Sequence, residues 1–444
     1  MATDVPHLGT QSDVRSIYIL KHGFRVVPGF GFPSPPNPSP AASRPPPPVY
    51  TPPDLYQLDD LLSPADIQLR SRVRDWVDRE YLPHIAEWNE RGLFPLELAR
   101  QIATFGAFGG TLVGHGCPGL TPLQYGLVMQ ELERGDTGLR TLASVQGALA
   151  MNAIHRFGSE EQKSRWLPRL ATGEQWGCFA LTEPEHGSNP GGMTTRAEPT
   201  PQGYRLNGSK IWIGQAHVAH VLVVWAKLAG LPGVDANSPR SIRGFLVEQG
   251  TPGLDASLMA GKLSVRAAGT CRVELRDCEV PRTALLPGSE GLRSPLQCLN
   301  QARYGIAWGA VGAASACYDE ARQHALTRTQ FGQPLGSFQL VQRKLALMLT
   351  ELTKAQLVAF RLAQLKQADG ATHVQISLAK RNNVDAALEI ARSAREILGG
   401  IGILGANQSF RHLCNLESVK TYEGTDDMHL LILGEHITGL PAYS

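Results

Sequence analysis

The spacing of apolar residues changes twice along this chain of 444 residues. Apolar residues recur every three or four positions from about Leu55 to Ala171, as in amphipathic helices, and do so again after Gly291. Between these regions the chain consists of short β-type runs separated by turn residues. The pattern therefore predicts an α+β protein. The predicted divisions are a Pro-rich leader at 1–55, an N-terminal helical domain at 56–175, a middle β domain at 176–290 and a C-terminal helical bundle at 291–444.

The first predicted helix has a clear start signal. Ser63 precedes Pro64, which matches an N-cap followed by proline at the first helical position. We expect this helix to run to about Arg79. The other helices predicted in this domain lie at 95–105, 121–134, 142–157 and 160–171.

The middle domain combines β-type runs with turn signals. The predicted strands lie at 176–181, 204–206, 210–213, 219–226, 244–248 and 271–275. The pair Asn207-Gly208 lies between two of these runs and predicts a two-residue turn. In the last domain, the long periodic segments that predict an antiparallel bundle lie at 302–329, 338–368 and 371–398. A final helix is predicted after Thr425, ending near Gly439.

The start of the chain has a different composition. Prolines are dense from Pro28 to Pro53. Because proline fixes φ and removes a backbone donor, this stretch predicts an extended, mobile leader rather than a helix or a sheet. Residues 1–28 hold few acids and several bases, so a transit peptide stays open beside a disordered extension or a start codon placed too early.

Charge and cysteine content limit the partners and the compartment. A formal net charge of +2 gives no broad electrostatic reason to expect nucleic acid or a charged membrane surface as a partner. No apolar run is long enough to span a bilayer. The seven cysteines never form a Cys-x-x-Cys pair, which favours reduced thiols in a reducing compartment. We expect a bacterial cytoplasm, with the mitochondrial matrix as the alternative. His217 and His220 lack further ligands nearby, so no metal is predicted.

The segment at 420–427 contains an acid that secondary structure does not explain. Thr425 fits an N-cap, and Asp426 and Asp427 suit the first turn of a helix because its dipole favours negative charge there. Glu423 lies before that helix, beside Gly424. It is either a solvated acid or a placed carboxylate.

Four further segments carry weak signals of a ligand site. The loop at 179–188 follows a strand and ends in small polar residues, which suits either a polar ligand or an ordinary loop. The aromatic at 212–214 suits either a flat ring or the core. Arg328, in the segment 328–332, suits either a phosphate or a helix C-terminus. The glycines at 398–402 permit close backbone approach and also resemble a helix C-cap.

In their joint order these segments resemble the acyl-CoA dehydrogenase superfamily, most closely its glutaryl-CoA dehydrogenase branch, over about 58–443. The segments at 302–309 and 421–425 resemble that branch in particular. The resemblance implies a helical N-terminal domain, a middle β domain and a C-terminal four-helix bundle. It also implies FAD bound between the β domain and the bundle, in a homotetramer.

The resemblance assigns residues to FAD by position. Those implied at the isoalloxazine and ribityl chain are Phe179, Leu181, Thr182, Gly187, Ser188, Trp212, Ile213 and Gly214. Those implied at the rest of the cofactor, in a site shared between subunits, are Arg328, Phe331, Gln339, Glu396, Leu398, Gly399, Gly400, Thr425 and Asp427.

The resemblance also implies the chemistry. Glu423 is expected to remove the α-proton of the acyl-CoA while flavin N5 accepts the β-hydride, and the Glu423 N–H is expected to stabilise the thioester oxygen. Arg140 is expected to bind the second carboxylate of glutaryl-CoA. The expected products are crotonyl-CoA and CO2. The other residues implied at the substrate are Glu133, Thr141, Ser144, Ser188, Asn300, Arg303, Tyr422 and Gly424. The plain alternative for Arg140 is a surface ion pair with Asp136.

Two positions depart from the family pattern. Gly214 stands where the family usually has a threonine whose hydroxyl contacts the flavin. Asp426 lies beside Glu423, and we expect its charge to raise the pKa of that carboxyl. The alternative functions are a short-chain acyl-CoA dehydrogenase or oxidase without decarboxylation, and a non-catalytic flavin-holding protein. Electron-transfer flavoprotein is the expected electron acceptor of a dehydrogenase.

Overall fold

The computed structural model describes residues 54–368 and 370–442. The predicted leader, and the transit peptide that is its alternative, lie outside the described residues. Within the described residues, helices precede and follow one seven-stranded sheet, so the predicted order of helical, β and helical domains is confirmed. No described helix has both the length and the apolarity needed to cross a membrane.

The N-terminal helices are α1 (Pro64–Trp76), α2 (Ile85–Arg91), α3 (Leu96–Gln101), α4 (Pro122–Gly135), α5 (Thr137–Ala143), α6 (Asn152–Phe157) and α7 (Glu160–Ala171). The predicted start of α1 is confirmed. The Ser63 hydroxyl accepts from the Asp66 N–H at 3.3 Å, and the Asp66 carboxylate accepts from the Ser63 N–H at 3.1 Å. This reciprocal capping satisfies two donors that a helix start leaves open.

Two differences from the predicted helices have local causes. The short helix α2 buries only Ile85, so no apolar stripe marks it in the sequence. The helix predicted at 142–157 begins earlier, because Asp136 caps α5 by accepting from the Gly138 N–H at 2.7 Å. Between α5 and α6 the helix widens into a π-helical segment, Ser144–Met151. Such segments often occur at functional sites.

The strands of the large sheet are β1 (Gly177–Ala180), β2 (Arg196–Pro199), β3 (Gly203–Gly214), β4 (Val221–Leu228), β5 (Ile242–Glu248), β6 (Leu254–Leu258) and β7 (Thr270–Pro281). Their order is β1-β4-β2-β3-β7-β6, with β5 also paired to β4. Strands β1 and β2 run parallel to β4, and the other pairs are antiparallel. Every residue of β4 is buried, whereas β2 and β6 are largely exposed. Neither strand was predicted: β2 has only four residues and ends in Pro199, and β6 alternates apolar and polar residues but buries none of them.

The turn predicted at Asn207-Gly208 is wrong. Both residues lie inside the continuous strand β3, at a bulge where the register with β7 shifts. The Asn207 side chain bonds Asp277 of β7, and a Cβ at Gly208 would lie 2.4 Å from the Thr195 hydroxyl oxygen. Glycine is needed here because a neighbouring strand passes close to it, not because the chain reverses.

The C-terminal helices are α8 (Arg293–Thr327), α9 (Gln339–Ala368), α10 (His373–Leu398), α11 (Gln408–Thr421) and α12 (Asp426–Thr438). A hairpin of β8 (Thr329–Gln330) and β9 (Gln333–Pro334) joins α8 to α9. Helix α8 approaches α4 closely, since a Cβ at Gly312 would lie 1.9 Å from the Gln130 carbonyl oxygen. The predicted end of the last helix is confirmed, because Gly439 caps α12 with φ +70°. Helix α11 was not predicted. Most of its buried residues are polar, so its apolar stripe is weak.

Candidate active site

The segment between α11 and α12 carries the predicted base. Glu423 has φ +57° and Gly424 has φ +99°, a left-handed conformation that glutamate rarely adopts. Arg303, on α8, donates from Nε to the Glu423 carbonyl at 2.7 Å. Thr425 caps α12 by accepting from the Met428 N–H at 3.2 Å. Neighbouring helices therefore hold Glu423 in an uncommon backbone conformation, of the kind that clusters at functional sites.

The Glu423 carboxylate is aimed into the protein. Its Oε2 atom is buried and has no hydrogen-bond partner among the described residues. Burial raises the pKa of Glu423 above its ordinary value, because the charged form is poorly solvated there. The charges of Arg140, Arg303 and Lys380 oppose this rise. A carboxyl with a raised pKa and an open oxygen suits a general base.

The structure does not favour the prediction that Asp426 raises the pKa of Glu423. Asp426 pairs with Arg381, whose Nε lies 3.2 Å from Oδ1. The carboxylate that contributes to the raised pKa of Glu423 is Glu133, and its contribution follows that of burial. Asp427 is exposed in the first turn of α12.

A buried ion pair lies at the end of the site where the acyl chain is predicted to bind, which we call the acyl end. Arg140 Nε donates to Glu133 Oε2 at 2.6 Å, and neither side chain is exposed. A second guanidinium nitrogen, Nη2, donates to the Tyr422 hydroxyl, and Thr137 donates to Glu133 Oε1 at 3.0 Å. A Cβ at Gly309 of α8 would lie 1.9 Å from Glu133 Oε2, so this glycine makes room for the pair. Three predicted substrate residues thus meet here.

The alternative of a surface ion pair between Arg140 and Asp136 is wrong. Both side chains are buried. The Asp136 carboxylate accepts instead from Arg411 Nε at 3.1 Å and from Asn415 Nδ2 at 3.0 Å, both on α11. Asp136 therefore ties α5, which carries Arg140, to the helix that precedes Glu423.

Two donors at the acyl end have no partner among the described residues. They are Arg140 Nη1 and the Ser144 hydroxyl, both fully buried. Burial raises the pKa of Tyr422 to about 12 despite the nearby Arg140, so its hydroxyl also stays protonated at neutral pH. A buried donor without a partner costs about 1–3 kcal/mol. This end of the site is therefore complementary to an acceptor that a ligand brings.

The remaining predicted substrate residues are less closely joined. The Thr141 hydroxyl lies 3.4 Å from the Tyr422 hydroxyl. Asn300 lies one turn before Arg303 on α8. Gly187 and Ser188 are exposed on the loop that follows β1.

The first predicted flavin set lies on the middle sheet. Phe179 is buried in β1, and Leu181 is buried just after it. The Thr182 carbonyl accepts from the Ile211 N–H at 2.9 Å, and Lys210 Nζ donates to the Leu181 carbonyl at 2.9 Å. The structure thus brings the loop after β1 against β3, so the two predicted flavin segments are adjacent.

A buried carboxylate fixes this loop. Glu183 accepts from Lys210 Nζ at 2.9 Å and from the N–H and hydroxyl groups of Thr194 and Thr195. Burial alone would raise the pKa of Glu183, but Lys210 and these donors hold it at about 2. The loop is therefore rigidly placed before any ligand binds.

The end of β3 presents an aromatic ring to solvent. Trp212 is 59% exposed and has φ +63°, whereas the next residue, Ile213, is buried. A Cβ at Gly214 would lie 3.1 Å from Val145 Cγ2, on the π-helical segment. The valine side chain thus crowds the position at which the family usually has a threonine.

The second predicted flavin set lies at the ends of four helices, with Thr425 and Asp427 at the start of α12. Arg328 and Phe331 follow α8, Gln339 begins α9, and Glu396, Leu398, Gly399 and Gly400 end α10. Phe331 is 93% exposed and has φ +51°. Lys344 of α9 donates to Glu396 at 2.6 Å, which joins the start of α9 to the end of α10. The glycines meet open space, so the backbone there is accessible.

Sequence reasoning missed the groups that hold these segments in place. Lys380, on α10, donates to the Gly424 carbonyl at 2.8 Å, and Glu183 and Lys210 fix the loop after β1. Glu183 lies in the loop at 179–188 that was predicted to contact the flavin, but an acid followed by proline gives no sign of burial. Lys380 shares the buried face of α10 with Ile376 and Val384, and a charge on the buried face of a predicted helix was the available signal.

Three family domains match the chain in order. They are the acyl-CoA dehydrogenase N-terminal domain at 63–174, the middle domain at 178–278 and the C-terminal domain at 289–438. Together they cover most of the described residues.

Characterised relatives and solved structures agree with this match. The chain is 33% identical to the human mitochondrial short-chain specific acyl-CoA dehydrogenase over 386 residues, which is 86% of this chain and 92% of that protein. A glutaryl-CoA dehydrogenase from Mycobacterium smegmatis, solved in complex with FADH2, is 45% identical with a TM-score of 0.85, covering 88% of this chain and 98% of that one. A glutaryl-coenzyme A dehydrogenase in complex with glutaryl-CoA is 30% identical with a TM-score of 0.80, covering 86% and 98%.

Proposed function

Because the chain belongs to the acyl-CoA dehydrogenase family, we propose that it catalyses the FAD-dependent oxidation and decarboxylation of glutaryl-CoA to crotonyl-CoA and CO2. One observation carries this choice of substrate. Arg140 Nη1 and, one helical turn further along, the Ser144 hydroxyl are buried and have no partner among the described residues. A carboxylate at the far end of the acyl chain supplies acceptors for both donors.

The ion pair with Glu133 prepares Arg140 for this role. Glu133 and Tyr422 occupy Nε and Nη2 of the guanidinium, which orients the group and leaves Nη1 for the substrate. A buried arginine without a counter-ion is strongly unfavourable, so Glu133 also keeps Arg140 protonated in the absence of ligand. The solved complex of a similar protein with glutaryl-CoA supports the same class of substrate.

Glu423 is the proposed base. Its raised pKa and open Oε2 suit removal of the α-proton. The Arg303 bond to its carbonyl fixes the peptide that precedes Gly424. The backbone N–H of Glu423 is the proposed donor to the thioester oxygen, where negative charge develops.

The residues of the two flavin segments fit FAD. The exposed Trp212 ring and the loop fixed by Glu183 offer a flat apolar surface beside backbone groups, and Arg328 offers a cation for phosphate. When bound, FAD supplies the acceptor for the β-hydride of the substrate. Gly214 provides no hydroxyl, so the proposed site differs there from the usual family pattern.

Decarboxylation follows from the position of the second carboxylate. After oxidation, the α,β-double bond is conjugated with the thioester. The bond between the γ-carbon and the carboxyl group breaks, CO2 leaves, and its electron pair passes into the conjugated system. Glu423, protonated in the first step, returns its proton to the γ-carbon. The product is crotonyl-CoA.

An arginine-lined cavity supports a CoA ester as the substrate. Arg240, Arg243 and Arg293 line one open cavity together with a single carboxylate, that of Glu290. The loop that carries Ser188 continues to Gly191, which packs against the residue before Arg240. Arginines suit the phosphates of CoA because guanidinium groups bind phosphate through paired hydrogen bonds.

The second candidate is a short-chain acyl-CoA dehydrogenase or oxidase without decarboxylation. The observation in its favour is that Glu133 already neutralises Arg140, so the pair can serve stability alone. The 33% identity to the human short-chain enzyme points the same way. The placement of Glu423 argues against a non-catalytic flavin-holding protein.

A homotetramer, electron-transfer flavoprotein as the electron acceptor and a bacterial cytoplasm complete the proposal. Apolar side chains are exposed in the C-terminal domain, on its helices and on the segments that join them, which fits contact with further copies of the chain. The most exposed of them are Phe331, Ile437, Leu340, Leu440 and Ile403. All seven cysteines are free, which fits a reducing compartment such as that cytoplasm or the mitochondrial matrix.

The test is to add glutaryl-CoA to the purified holoenzyme with an artificial electron acceptor, with butyryl-CoA in parallel. Bleaching of the flavin absorbance, CO2 and crotonyl-CoA are measured together. We expect glutaryl-CoA to bleach the flavin and to yield both products. Bleaching by butyryl-CoA alone would support the second candidate, and glutaconyl-CoA without CO2 would contradict decarboxylation.

A further inference from the structure

One buried ammonium joins the two ends of the segment that carries Glu423. Lys380 lies on α10 and is 1% exposed. Its Nζ donates to the Gly424 carbonyl at 2.8 Å and reaches the Lys420 carbonyl at 3.5 Å. Lys420 lies in the last turn of α11, and Gly424 directly follows the base. Lys380 therefore bridges the residues on both sides of Glu423.

The same segment is confined by two other helices. Arg303 of α8 holds the Glu423 carbonyl at 2.7 Å. A Cβ at Gly424 would lie 2.9 Å from His429 Nε2, on α12, and 3.1 Å from Arg303 Nη2. Because Gly424 also has φ +99°, its peptide has little freedom to shift. The direction of the Glu423 side chain thus depends on how two consecutive carbonyls are held, one by Arg303 and one by Lys380.

The charges around Lys380 couple it to the base. Glu423 and Asp426 stabilise its ammonium, whereas Arg303 and Arg140 oppose it. Burial lowers the pKa of Lys380 to about 7, and Glu423 is the largest opposing influence.

The imidazole of His429 faces the same ammonium. Burial lowers the pKa of His429 to about 3, so the ring is neutral beside Lys380 at physiological pH. Neither ring nitrogen of His429 has a partner among the described residues.

We propose that Lys380 is a positioning residue for proton removal by Glu423. Its two carbonyl bonds fix the direction of the carboxylate, and its charge, when present, favours the ionised form of Glu423 that accepts the α-proton. This inference rests on the proposed function, but only on the step that glutaryl-CoA and butyryl-CoA share.

The test uses the full-length holoenzyme with Lys380→Met, which keeps side-chain length and removes the charge and all donors. Flavin reduction is followed by stopped-flow absorbance as a function of pH, at saturating acyl-CoA. We expect the rate constant to fall about 10- to 100-fold, since small misplacements of a catalytic group have effects of this size. We also expect the acid limb of the pH profile to move to higher pH, because Glu423 loses a stabilising cation. Substrate affinity, measured by static titration, should change by no more than about 2-fold.

Two variants serve as controls. Lys354→Met removes an exposed lysine of α9 and should leave both the rate and the pH profile unchanged. Lys380→Gln keeps one donor for the Gly424 carbonyl without the charge. In this variant the acid limb of the pH profile should move to higher pH, whereas the rate constant of flavin reduction should fall less than in Lys380→Met. Lys380→Gln also replaces Lys380→Met if that variant does not fold.

The outcomes separate this inference from the proposed function. If the wild type is bleached by butyryl-CoA but not by glutaryl-CoA, the proposed substrate is wrong and the Lys380 series proceeds with butyryl-CoA. A variant that binds FAD and keeps the wild-type rate and pH limb would overturn the positioning role. The positioning role would also be overturned if the rate constant of flavin reduction fell only in proportion to the loss of bound FAD and the acid limb of the pH profile did not move. If neither ester bleaches the wild type, both proposals fail.

Discussion

The two ends of the predicted site differ in how far one chain completes them. At the acyl end, Glu133 and Arg140 are fully buried and bonded to each other, and Arg140 also bonds Tyr422. At the end predicted for the distal part of FAD, Phe331 is 93% exposed and Gly399 meets open space. The acyl end is therefore organised before any ligand binds, whereas the distal flavin end presents surface. We infer that reactivity depends on contacts within one chain and that cofactor retention depends on association with another.

Replacement of Glu423 by glutamine is expected to have the largest effect, because it removes the base and nothing else at the acyl end. Glu423→Gln should slow flavin reduction by acyl-CoA about 10⁴-fold, at the upper end for loss of a general base. FAD content and substrate binding should persist. In the wild type, the rate should rise with pH along a limb that lies above the ordinary pKa of glutamate, since burial raises the pKa of Glu423. Residual activity within about 10-fold of the wild type would remove Glu423 from the reaction.

Replacement of Arg140 by methionine tests whether the acyl end recognises a carboxylate. Arg140→Met should lower kcat/KM for glutaryl-CoA about 100-fold or more, because a buried charge partner is lost. The value for butyryl-CoA should fall much less. It should also destabilise the protein by about 3–5 kcal/mol, since Glu133 is left as an unpaired buried charge.

The double variant Glu133→Gln with Arg140→Met separates recognition from stability. Removal of both charges should recover most of the lost stability but none of the activity with glutaryl-CoA. Thermal unfolding and the two values of kcat/KM are measured side by side. Equal losses for both esters in this variant would mean that the pair has only a structural role.

Local sequence signals predicted most helices and strands, but they could not predict the contacts between residues far apart in the chain. Ser63, Thr121 and Thr425 cap helices where the sequence predicts starts, because a capping bond involves residues only three positions apart. The prediction of a turn at Asn207-Gly208 was wrong because asparagine and glycine are common both in turns and in β-bulges. The close approach of Thr195 to Gly208, which the sequence does not show, favours the bulge. Lys380 holds a carbonyl 44 residues away, a contact that no local pattern contains.

The family resemblance brought the site residues together, but it did not predict their supports. It implied that Glu133, Arg140 and Tyr422 share one end of the site, and the structure brings them into contact. The tie from Asp136 to Arg411 and Asn415 was not anticipated, because it lies on the unpredicted helix α11. The polar residues that make α11 hard to recognise are the ones that fasten it to α5.

Replacement of Arg328 by alanine tests the distal flavin end. Arg328→Ala should raise the dissociation constant for FAD about 10-fold, as expected when one charge-assisted contact to phosphate is lost. At saturating FAD the rate of flavin reduction should be unchanged, which contrasts with every change at the acyl end. Arg361→Ala on α9 is the matched control, because among the described residues its guanidinium bonds only Gln364, on the same helix. If Arg328→Ala slowed flavin reduction even when every site held FAD, the two ends of the site would not have separate roles.

The smallest expected effect lies where the two ends meet, at Gly214. Its missing side chain would come within 3.1 Å of Val145 Cγ2, so the valine of the acyl-side helix restricts a strand of the flavin side. Gly214→Thr should therefore be more favourable by about 1 kcal/mol in the Val145→Ala background than alone, a coupling typical of residues in contact. Thermal unfolding of the four proteins in this cycle measures it, and flavin reduction at saturating FAD shows whether the added hydroxyl changes the rate. If the effects of the two substitutions on the free energy of unfolding are additive, Val145 does not exclude a side chain at position 214. The reason for a glycine at this position must then lie in its contact with the cofactor.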